Sequence, residues 1–471
     1  MSCASPTKSV FDAIASSPCE LAINCDAETP DCEPALDFFR QIWQRQPAIF
    51  HVSRQKYQAE RVLSEALNMG WNDVADLLHH CRRSSSNGES DVNDLLFFQQ
   101  GQPIIDPQSI CSCNPHAAYL DACSIIVNHA DFHSPHVAKL CNELQNTFPH
   151  VYANAYLTPP NGYAVEAHAD DRDVLVIQIL GQKTWKVYNN VPVESPFENE
   201  QVGKNGKAVP SSVLSGDLCF GKEVELCPGD VLYMPRGFVH EATTETNQKD
   251  HFLPSFHLTI AIATHDWCLS VVLADTIRQI LNKVPDFRKA LPVGPSTEYC
   301  ASSVSSTVHQ QLDQAMALIK SQVSPALMEH NLQTKYSIHN THTNERRNKL
   351  LADQSRRRKR CEDVVGYDAA SQLVLESLVR VSTPNERNSV VLEEGKLRGL
   401  TVRQETCPAL MSILGALKND TSLQVQVKDL CGVVGGNSLE DSTDLGMICD
   451  FTLLSFARCC VELGALAVVN F

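Results

Sequence analysis

The most informative absences in this 471-residue sequence are those of a long apolar run and of a cysteine framework. No stretch of eighteen consecutive apolar residues occurs, and the opening MSCASPTKSVFDAIASSPCE has no apolar core of the length that a secretory signal needs. The nineteen cysteines are scattered, and no two of them have the CxxC spacing of zinc sites. We therefore expect a protein without a membrane anchor that resides in a reducing compartment.

The sequence also lacks an excess of basic residues. Its 39 Lys and Arg are outnumbered by 55 Asp and Glu, giving a net charge of −16, which argues against a chain that coats nucleic acid non-specifically. The exception is the tract 346–360, which holds eight basic residues and ends in RRRKR. Such a tract is typical of a nuclear-import signal, a nucleic-acid contact or a solvated linker. We predict a nuclear or nucleolar protein in which any direct contact with nucleic acid is confined to this tract.

The clearest chemical signal is a His-x-Asp triplet beside two predicted strands. The run Val174–Ile179, VLVIQI, is apolar and rich in β-branched residues, which predicts a strand buried on both faces. Gly181 ends this run before a second, alternating strand at 183–188. His168 and Asp170 have i, i+2 spacing, which on a strand points both side chains to the same face. We therefore predict that these two side chains lie together on a strand.

A third side chain of the same kind is predicted further along the chain. Residues 228–230, Pro-Gly-Asp, are a turn signal before the short apolar strand VLYM, and His240 follows a Pro-Arg-Gly kink. Hairpins of this kind bring remote residues to the mouth of a small double-sheet barrel. Two imidazoles and one carboxylate on one face leave coordination positions of Fe(II) open for a co-substrate and O2. His168, Asp170 and His240 are therefore predicted to bind one metal ion.

These motifs resemble the JmjC family of Fe(II)- and 2-oxoglutarate-dependent oxygenases, and within it the ribosomal-oxygenase branch. The resemblance covers roughly residues 36–290 and rests on NAYLTPP, HADD, GQKTW, PGDVLYMPRGFVH and SFHLT. It implies that His168, Asp170 and His240 hold iron, that Lys183 pairs with the distal carboxylate of 2-oxoglutarate, and that Asn154, Tyr156 and Ser255 line the same cavity. A cation is also expected there on physical grounds, because a buried carboxylate without a partner is costly.

The family resemblance implies an α+β fold, a double-stranded β-helix (jelly-roll, cupin-like) barrel, and hydroxylation of a C–H bond coupled to decarboxylation of 2-oxoglutarate by O2. The implied protein substrate is a histidine of a ribosomal protein or a methylated lysine of a histone. Residues 164–170 read AVEAHAD where that branch tends to have Gly-Phe-x-Pro-His-Tyr-Asp, so we expect the metal ligands to be retained and the substrate entrance to differ. Ala169 should point away from the metal. Two alternatives stay open: a catalytically silent scaffold that dimerises and binds protein partners, and a sugar-modifying or metal-storing cupin.

A second His-x-Asp triplet occurs at His129 to Asp131. It precedes an amphipathic helix begun by Ser134-Pro135 rather than a strand and a Gly-x-Lys, so we interpret His129 and Asp131 as loop residues outside the site. Residues 189–223 are polar and Gly-rich, which predicts a long insertion between barrel strands that contacts a substrate or is merely solvated.

With 43% hydrophobic residues, the chain has the composition and length for two or three folded domains. We divide it into a loosely ordered tail (1–34), a JmjC oxygenase barrel with N-terminal helices (35–265), a helical dimerisation region (266–338), a basic linker (339–362) and a winged-helix-like domain (363–471). The family resemblance implies the homodimer and the winged helix, although the helices after the barrel might equally pack on it. Residues 375–471 hold twelve Asp and Glu against eight Lys and Arg, a net charge of −4, which favours protein contact over DNA contact.

Overall fold

A computed structural model describes residues 9–21, 34–52, 61–86, 94–104, 114–204, 206–245, 253–290, 301–352, 367–381, 392–393, 396–397, 407–419, 422–434 and 448–470. They form two compact units, one of residues up to 262 together with those from 346 onward, and one of residues 263–345. The predicted RRRKR tract and much of the predicted N-terminal tail lie outside the described residues. None of the helices in the described ranges is long and apolar enough to cross a membrane.

Two antiparallel sheets organise the first unit. Their strands are β1 (Cys19–Leu21), β2 (Ala48–His51), β3 (Leu95–Gln99), β4 (Gln102–Pro103), β5 (Ser124–Val127), β6 (Val151–Thr158), β7 (Asp173–Leu180), β8 (Lys183–Val187), β9 (Val224–Leu226), β10 (Asp230–Met234), β11 (His240–Thr243) and β12 (Ser255–Ile262). Nine of them form one sheet in the order β1-β2-β10-β7-β12-β6-β5-β3-β4, and three form the other in the order β11-β8-β9. This two-sheet antiparallel architecture agrees with the jelly-roll type predicted from the sequence.

Strand β7 is buried on both faces, as predicted. Val174 and Val176 pack in a core with Trp185 of the smaller sheet, whereas Leu175 and Ile177 belong to the larger core on the opposite face. Because successive side chains of a strand alternate between faces, an apolar residue at nearly every position is what a strand between two cores requires. The β7 sequence therefore accounts for the position of this strand between two cores.

The turn between β7 and β8 depends on Gly181. Its φ is +63°, and a Cβ atom built there would lie 2.0 Å from the carbonyl oxygen of Pro254. Only glycine fits both requirements, so the break predicted at this position is confirmed. The tight turn also sets where β8, and with it Lys183, begins.

Helices cover the outer face of the nine-stranded sheet. They are α1 (Val10–Ala15), α2 (Pro34–Asp37), α3 (Arg61–Leu67), α4 (Trp71–Ser86), α5 (Pro115–Leu120) and α6 (Pro135–Leu144); a π-helical turn, Phe38–Ile42, continues α2. The short helix α7 (Ser211–Leu214) lies elsewhere, and its Val213 packs with Ala169, Tyr188 and Val239. Aromatic rings tie the covering helices to the sheet: Phe38 lies 4.9 Å from Phe11 and 5.0 Å from Tyr233 between ring centroids. Edge-to-face pairs of this kind add to the free energy gained by burial alone.

The second unit is helical. It contains α8 (Leu269–Leu281), α9 (Ala301–Gln322) and most of α10 (Pro325–Ala352). Asn331 of α10 donates a hydrogen bond to Thr276 of α8 at 2.9 Å, and both residues lie within this unit. Residues 339–352, which the sequence analysis assigned to a basic linker, are the continuation of α10 and are helical.

The C-terminal part of the chain belongs to the first unit. It comprises α11 (Tyr367–Gln372), β13 (Leu378–Val381), β14 (Leu392–Glu393), β15 (Lys396–Leu397), α12 (Cys407–Asn419), β16 (Val425–Gln426), α13 (Asp450–Glu462) and β17 (Leu466–Asn470), with a small sheet in the order β16-β13-β17. Arg458 of α13 is buried and donates to the carbonyl oxygens of Ala75 and Leu373, and Arg82 pairs with Glu462 at 2.9 Å. These polar contacts join the C-terminal segment to helix α4.

Candidate active site

The His-x-Asp triplet at 168–170 lies just before β7. His168 forms an isolated antiparallel bridge with His240, the first residue of β11, through hydrogen bonds of 3.1 and 2.9 Å between their backbone groups. The prediction that the triplet sits on a regular strand is therefore wrong, because only one bridge forms there. That single bridge is nevertheless enough to place His168 directly opposite His240, a residue 72 positions later, counted as 240 − 168.

Backbone carbonyls orient both imidazoles. Nδ1 of His168 lies 2.8 Å from the carbonyl oxygen of Glu166, and Nδ1 of His240 lies 3.1 Å from that of Phe238. A carbonyl oxygen can only accept, so each Nδ1 carries the hydrogen and each Nε2 presents a lone pair. Metal-binding histidines are commonly oriented in this way.

The two Nε2 atoms both lie close to the carboxylate of Asp170. Nε2 of His168 is 3.9 Å from Oδ1 of Asp170, and Nε2 of His240 is 3.7 Å from Oδ2. All three ligand atoms lie within 4.8 Å of one another, and among the described residues this is the one group of three His, Cys, Asp or Glu side chains with such geometry. The donor set fits Fe(II), because two imidazole nitrogens and one carboxylate oxygen converge on one point.

Burial keeps the imidazoles in the form that binds a metal. It lowers the pKa of His168 to about 3, aided by the nearby Lys204 ammonium, and burial likewise lowers the pKa of His240. Both rings are therefore neutral at pH 7, as ligation requires. Burial alone would raise the pKa of Asp170, but Lys204 and the two imidazoles together hold it below its usual value.

Lys204 comes from the insertion between β8 and β9 and was not singled out in the sequence. Its Nζ donates a hydrogen bond to Oδ1 of Asp170. The insertion reaches the triplet because the backbone of Ala169 donates to the carbonyl of Val202 at 3.0 Å. Gly203, at φ +75°, packs so closely that a Cβ atom there would lie 2.6 Å from Cα of His168. The predicted insertion therefore contacts the site, and it does so through Lys204.

A cavity extends from the His-Asp-His group to Lys183. It is lined by Tyr156, Ala164, Val165, His168, Asp170, Val174, Val176, Lys183, Trp185, His240, Glu241, Ala242, His257 and Thr259. Lys183 is 3% exposed, and its Nζ donates to Oγ1 of Thr158 at 2.9 Å. In the described part of the chain no carboxylate pairs with Lys183, and burial lowers its pKa to about 7. A buried ammonium without an anion fits the carboxylate of a ligand.

Of the three other residues predicted to line the co-substrate cavity, one does so. Tyr156 lines the cavity, but Asn154 and Ser255 are not among its lining residues. Oδ1 of Asn154 accepts a hydrogen bond from the backbone of His129 at 3.1 Å, and Oγ of Ser255 accepts one from Gln178 at 2.9 Å. The family resemblance implied all three residues, and the polar side-chain atoms of Asn154 and Ser255 already have partners within the protein.

Two lining residues were missed by the sequence analysis. Trp185 follows Lys183 by two positions on β8, so the same alternation that directs the lysine inward also directs the indole. His257 lies on β12 within the quoted SFHLT motif and stacks on Tyr156 at 4.8 Å between ring centroids. Both positions were recoverable from the period-2 pattern of their strands once one inward residue was known.

The residues that depart from the ribosomal-oxygenase pattern lie at a junction between two cavities. Ala164 lines the cavity described above, whereas Glu166 lines a neighbouring cavity that shares Val165, Glu241 and Ala242 with it. Ala169 points away from the metal ligands, as predicted, and packs with Tyr188, Val213 and Val239. The departures therefore change the wall between the cavities and leave the His-Asp-His group intact.

Comparison with known proteins identifies relatives for this part of the chain. Residues 126–266 match the model of the JmjC domain. The proteins named bifunctional lysine-specific demethylase and histidyl-hydroxylase NO66 are similar: that of Drosophila willistoni is 28% identical over 229 residues, 48% of this chain and 27% of the relative. That of Drosophila sechellia is 31% identical over 274 residues, 54% of this chain and 36% of the relative. The chain thus spans about a third or less of the length of these relatives.

Among solved structures, a ribosomal oxygenase YcfD from Escherichia coli in complex with cobalt and 2-oxoglutarate is similar. It is 16% identical, with 95% of this chain and 99% of that chain covered and a TM-score of 0.36. A TM-score this low supports no conclusion about the fold or ligands of the present chain.

Proposed function

We propose that the chain, whose residues 126–266 match the model of the JmjC domain, is an Fe(II)- and 2-oxoglutarate-dependent oxygenase that hydroxylates a protein substrate. The single observation that carries this proposal is the cavity in which a His-Asp-His group and a buried lysine, with no carboxylate partner among the described residues, face the same space. Metal ligands alone are common to many cupins, but a cation within the same cavity fits a dicarboxylate co-substrate.

The residues of this chain have separable roles in the proposed reaction. His168, Asp170 and His240 would hold the iron. When bound, the iron would supply the activation of O2, with 2-oxoglutarate as the co-substrate that is decarboxylated. Lys183 binds the distal carboxylate of 2-oxoglutarate and so sets the direction of its 2-oxo acid end. Val174, Val176 and Trp185 close the cavity wall and exclude water, which strengthens every charge interaction inside it.

The proposed substrate is a protein segment that enters through the neighbouring cavity. Its lining holds three glutamates, Glu166, Glu241 and Glu245, and one lysine, Lys186, which lies 3.3 Å from Glu241. This excess of carboxylates favours a cationic segment, and the proposed target is a histidine of a ribosomal protein or a methylated lysine of a histone. The relatives are named lysine-specific demethylases and histidyl-hydroxylases. Glu198 and Glu200 of the insertion lie on a short 3-10 helix, and the backbone N–H of Phe197 donates to Glu200.

The helical unit is the proposed homodimer surface. Leu312 and Met316 of α9 are each 55% exposed and lie one helical turn apart, and Ile338 of α10 is 60% exposed. A second copy of the chain would cover such side chains. Light scattering of the purified chain measures this directly, and a monomer at all concentrations would contradict it.

The remaining domain assignments are proposals of the same kind. The small β16-β13-β17 sheet with α12 and α13 supports a winged-helix-like domain at 363–471 that contacts protein. Nuclear or nucleolar residence is proposed from the basic tract 346–360 of the sequence. Replacing RRRKR by alanines in a fluorescent fusion is expected to move the protein to the cytoplasm, and unchanged nuclear signal would contradict the assignment.

The oxygenase proposal is tested by anaerobic titration with Fe(II) and 2-oxoglutarate, followed by admission of O2 and a succinate assay. Wild type and Lys222→Ala, which alters an exposed lysine, should both form succinate, whereas Lys183→Ala should not, because it lacks the cation for the distal carboxylate. No iron binding and no succinate from any of the three would favour the silent scaffold.

A further inference from the structure

His257 lies on the inner face of β12, between two neighbouring strands. It pairs with Tyr156 of β6 on one side and with Gln178 of β7 on the other. The residues before and after it, Phe256 and Leu258, belong to the core on the opposite face. Because successive side chains of a strand point to opposite faces, the imidazole of His257 points to the cavity.

Two aromatic rings hold the imidazole in place. Tyr156 stacks on its face, with centroids 4.8 Å apart and planes 6° from parallel. Trp185 meets it edge-on, at 5.5 Å and 72°. These two contacts fix the plane of the ring before any ligand binds.

Among the described residues, the Nδ1 atom of this ring has no hydrogen-bond partner, although the residue is 1% exposed. Buried polar atoms are nearly always paired, and His257 lines the cavity, so a ligand bound there can supply the missing partner. Burial, and then the charge of Lys183, lower the pKa of His257, which keeps the ring neutral. A neutral imidazole carries one N–H, and Nδ1 can be the nitrogen that bears it.

Two other lining residues of the cavity, Trp185 and Lys183, also offer hydrogen-bond donors to a ligand. Nε1 of Trp185 is also buried without a partner and can only donate. Lys183 donates to Thr158 and has further N–H groups to offer. These three donors match an ionised carboxylate, which only accepts hydrogen bonds.

We propose that His257 is a binding residue for the dicarboxylate co-substrate, with its Nδ1–H donating to the carboxylate that Lys183 also binds. This inference rests on the proposed function. The two rival roles are a packing surface for Tyr156 and Trp185 without a hydrogen bond to the ligand, and a further metal ligand. The second is disfavoured by geometry, since His257 is not part of the group that converges on the metal position.

Three substitutions separate these roles. His257→Phe keeps an aromatic ring for stacking and removes the donor. His257→Asn loses the ring but retains an amide nitrogen at nearly the position of Nδ1. His257→Leu resembles Asn in size and shape and has no donor, so Asn and Leu form a matched pair if the Phe variant does not fold.

The measurement is calorimetric titration of Co(II)-loaded protein with 2-oxoglutarate, with Co(II) absorption and thermal unfolding recorded for each variant. Loss of a hydrogen bond to a charged group predicts that His257→Phe and His257→Leu weaken 2-oxoglutarate binding by about 10- to 100-fold. His257→Asn should stay within about threefold of wild type. All variants should bind Co(II) like wild type, because the metal ligands are unchanged.

Different failures lead to different conclusions. If His257→Phe binds 2-oxoglutarate like wild type, or if Asn is as weak as Leu, the hydrogen bond is not made and the inference is overturned. Loss of Co(II) binding in a folded His257→Phe variant would assign the ring to the metal instead and would also overturn it. A wild-type protein that binds neither Co(II) nor 2-oxoglutarate would overturn the proposed function itself.

Discussion

The two His-x-Asp triplets of this chain consist of the same three residue types, but their aspartates have different partners and different exposure. In the first, Asp131 is fully buried and accepts a 2.7 Å hydrogen bond from Arg347, whose guanidinium also bonds to Asn142 and Gln145. In the second, Asp170 is 18% exposed and pairs with Lys204 from a surface insertion. Each aspartate thus has a basic partner supplied by a later part of the chain.

The chemical nature of that partner decides what the triplet can do. Arg347 is held by several hydrogen bonds, and separating it from Asp131 would leave a buried charge without its counter-ion. Asp131 therefore has a structural role. A lysine is a flexible point charge, and Lys204 can leave Asp170 when a metal ion takes its place. The interpretation of Asp131 as a loop residue outside the site agrees with its position at a short 3-10 helix, yet it missed this structural role.

The largest effect is expected from the metal ligands themselves. His168→Ala should abolish Co(II) binding and lower succinate formation by more than ~100-fold, since loss of a residue that merely supports a ligand already costs 10- to 100-fold. The matched control is His129→Ala in the first triplet, which should leave both quantities unchanged. Full turnover by folded His168→Ala protein would refute the metal-site assignment.

The complementary substitution in the first triplet should affect stability alone. Asp131→Asn retains the acceptor that bonds to the backbone of Ala153 but leaves Arg347 as a buried charge without its counter-ion. The free energy of unfolding should fall by ~3–5 kcal/mol, measured by chemical denaturation. Co(II) binding by the folded fraction should not change.

A double variant provides the control for that result. Replacing both partners by apolar residues, as in Asp131→Leu with Arg347→Met, should recover part of the lost stability because no lone charge remains. A loss below ~1 kcal/mol in Asp131→Asn would show that the buried pair contributes little.

Lys183 should make co-substrate binding depend on pH, in contrast to the guanidinium of the first triplet. Burial lowers the pKa of Lys183 to about 7 in the free protein, and a dicarboxylate binds the protonated form. Affinity for 2-oxoglutarate in Co(II)-loaded protein should therefore be constant below pH 7 and fall by up to ~10-fold per pH unit above it. The imidazole of His168, with its pKa near 3, does not titrate in this range. Lys183→Met should bind weakly at every pH, and a slope that persists in that variant would assign the titration to another group.

The smallest effect is expected at Lys204. Lys204→Ala removes the cation that competes for Asp170, and a partly exposed pair of this kind contributes ~0.2–1 kcal/mol. Affinity for Co(II) should therefore rise by about two- to fivefold. Lys207→Ala, in the same insertion, is the control, and weaker Co(II) binding by Lys204→Ala would show that the lysine supports the site.

Much of the framework could be predicted from local pattern. The apolar run of β7, the break at Gly181 and the turn before β10 follow from residue types within a few positions of one another, and the structure confirms them. The spacing of His168 and Asp170 also places both side chains on one side, although the segment is a single bridge and not a strand. Tyr156 and Lys183, which the family resemblance implied, both line the cavity.

Hydrogen-bond partners were not predictable in this way. Asn154 and Ser255 were expected in the cavity, but the backbone of His129 and the amide of Gln178 occupy their polar atoms. The site also contains Lys204, Trp185 and His257, which come from three separate segments and were not predicted to be there. A strand pattern states which face a side chain occupies, but it does not state which distant group meets it there.

The sequence by itself determined which residues can ligate a metal, which strands are buried on two faces and where those strands end, because these properties depend on side-chain chemistry and on short-range period. Only the tertiary structure decided which His-x-Asp triplet faces the cavity and which is locked to Arg347. It also decided that a lysine stands beside Asp170 and that His257 has a nitrogen with no partner. Those outcomes depend on segments that are far apart in sequence and are brought together only when both sheets and their helices pack.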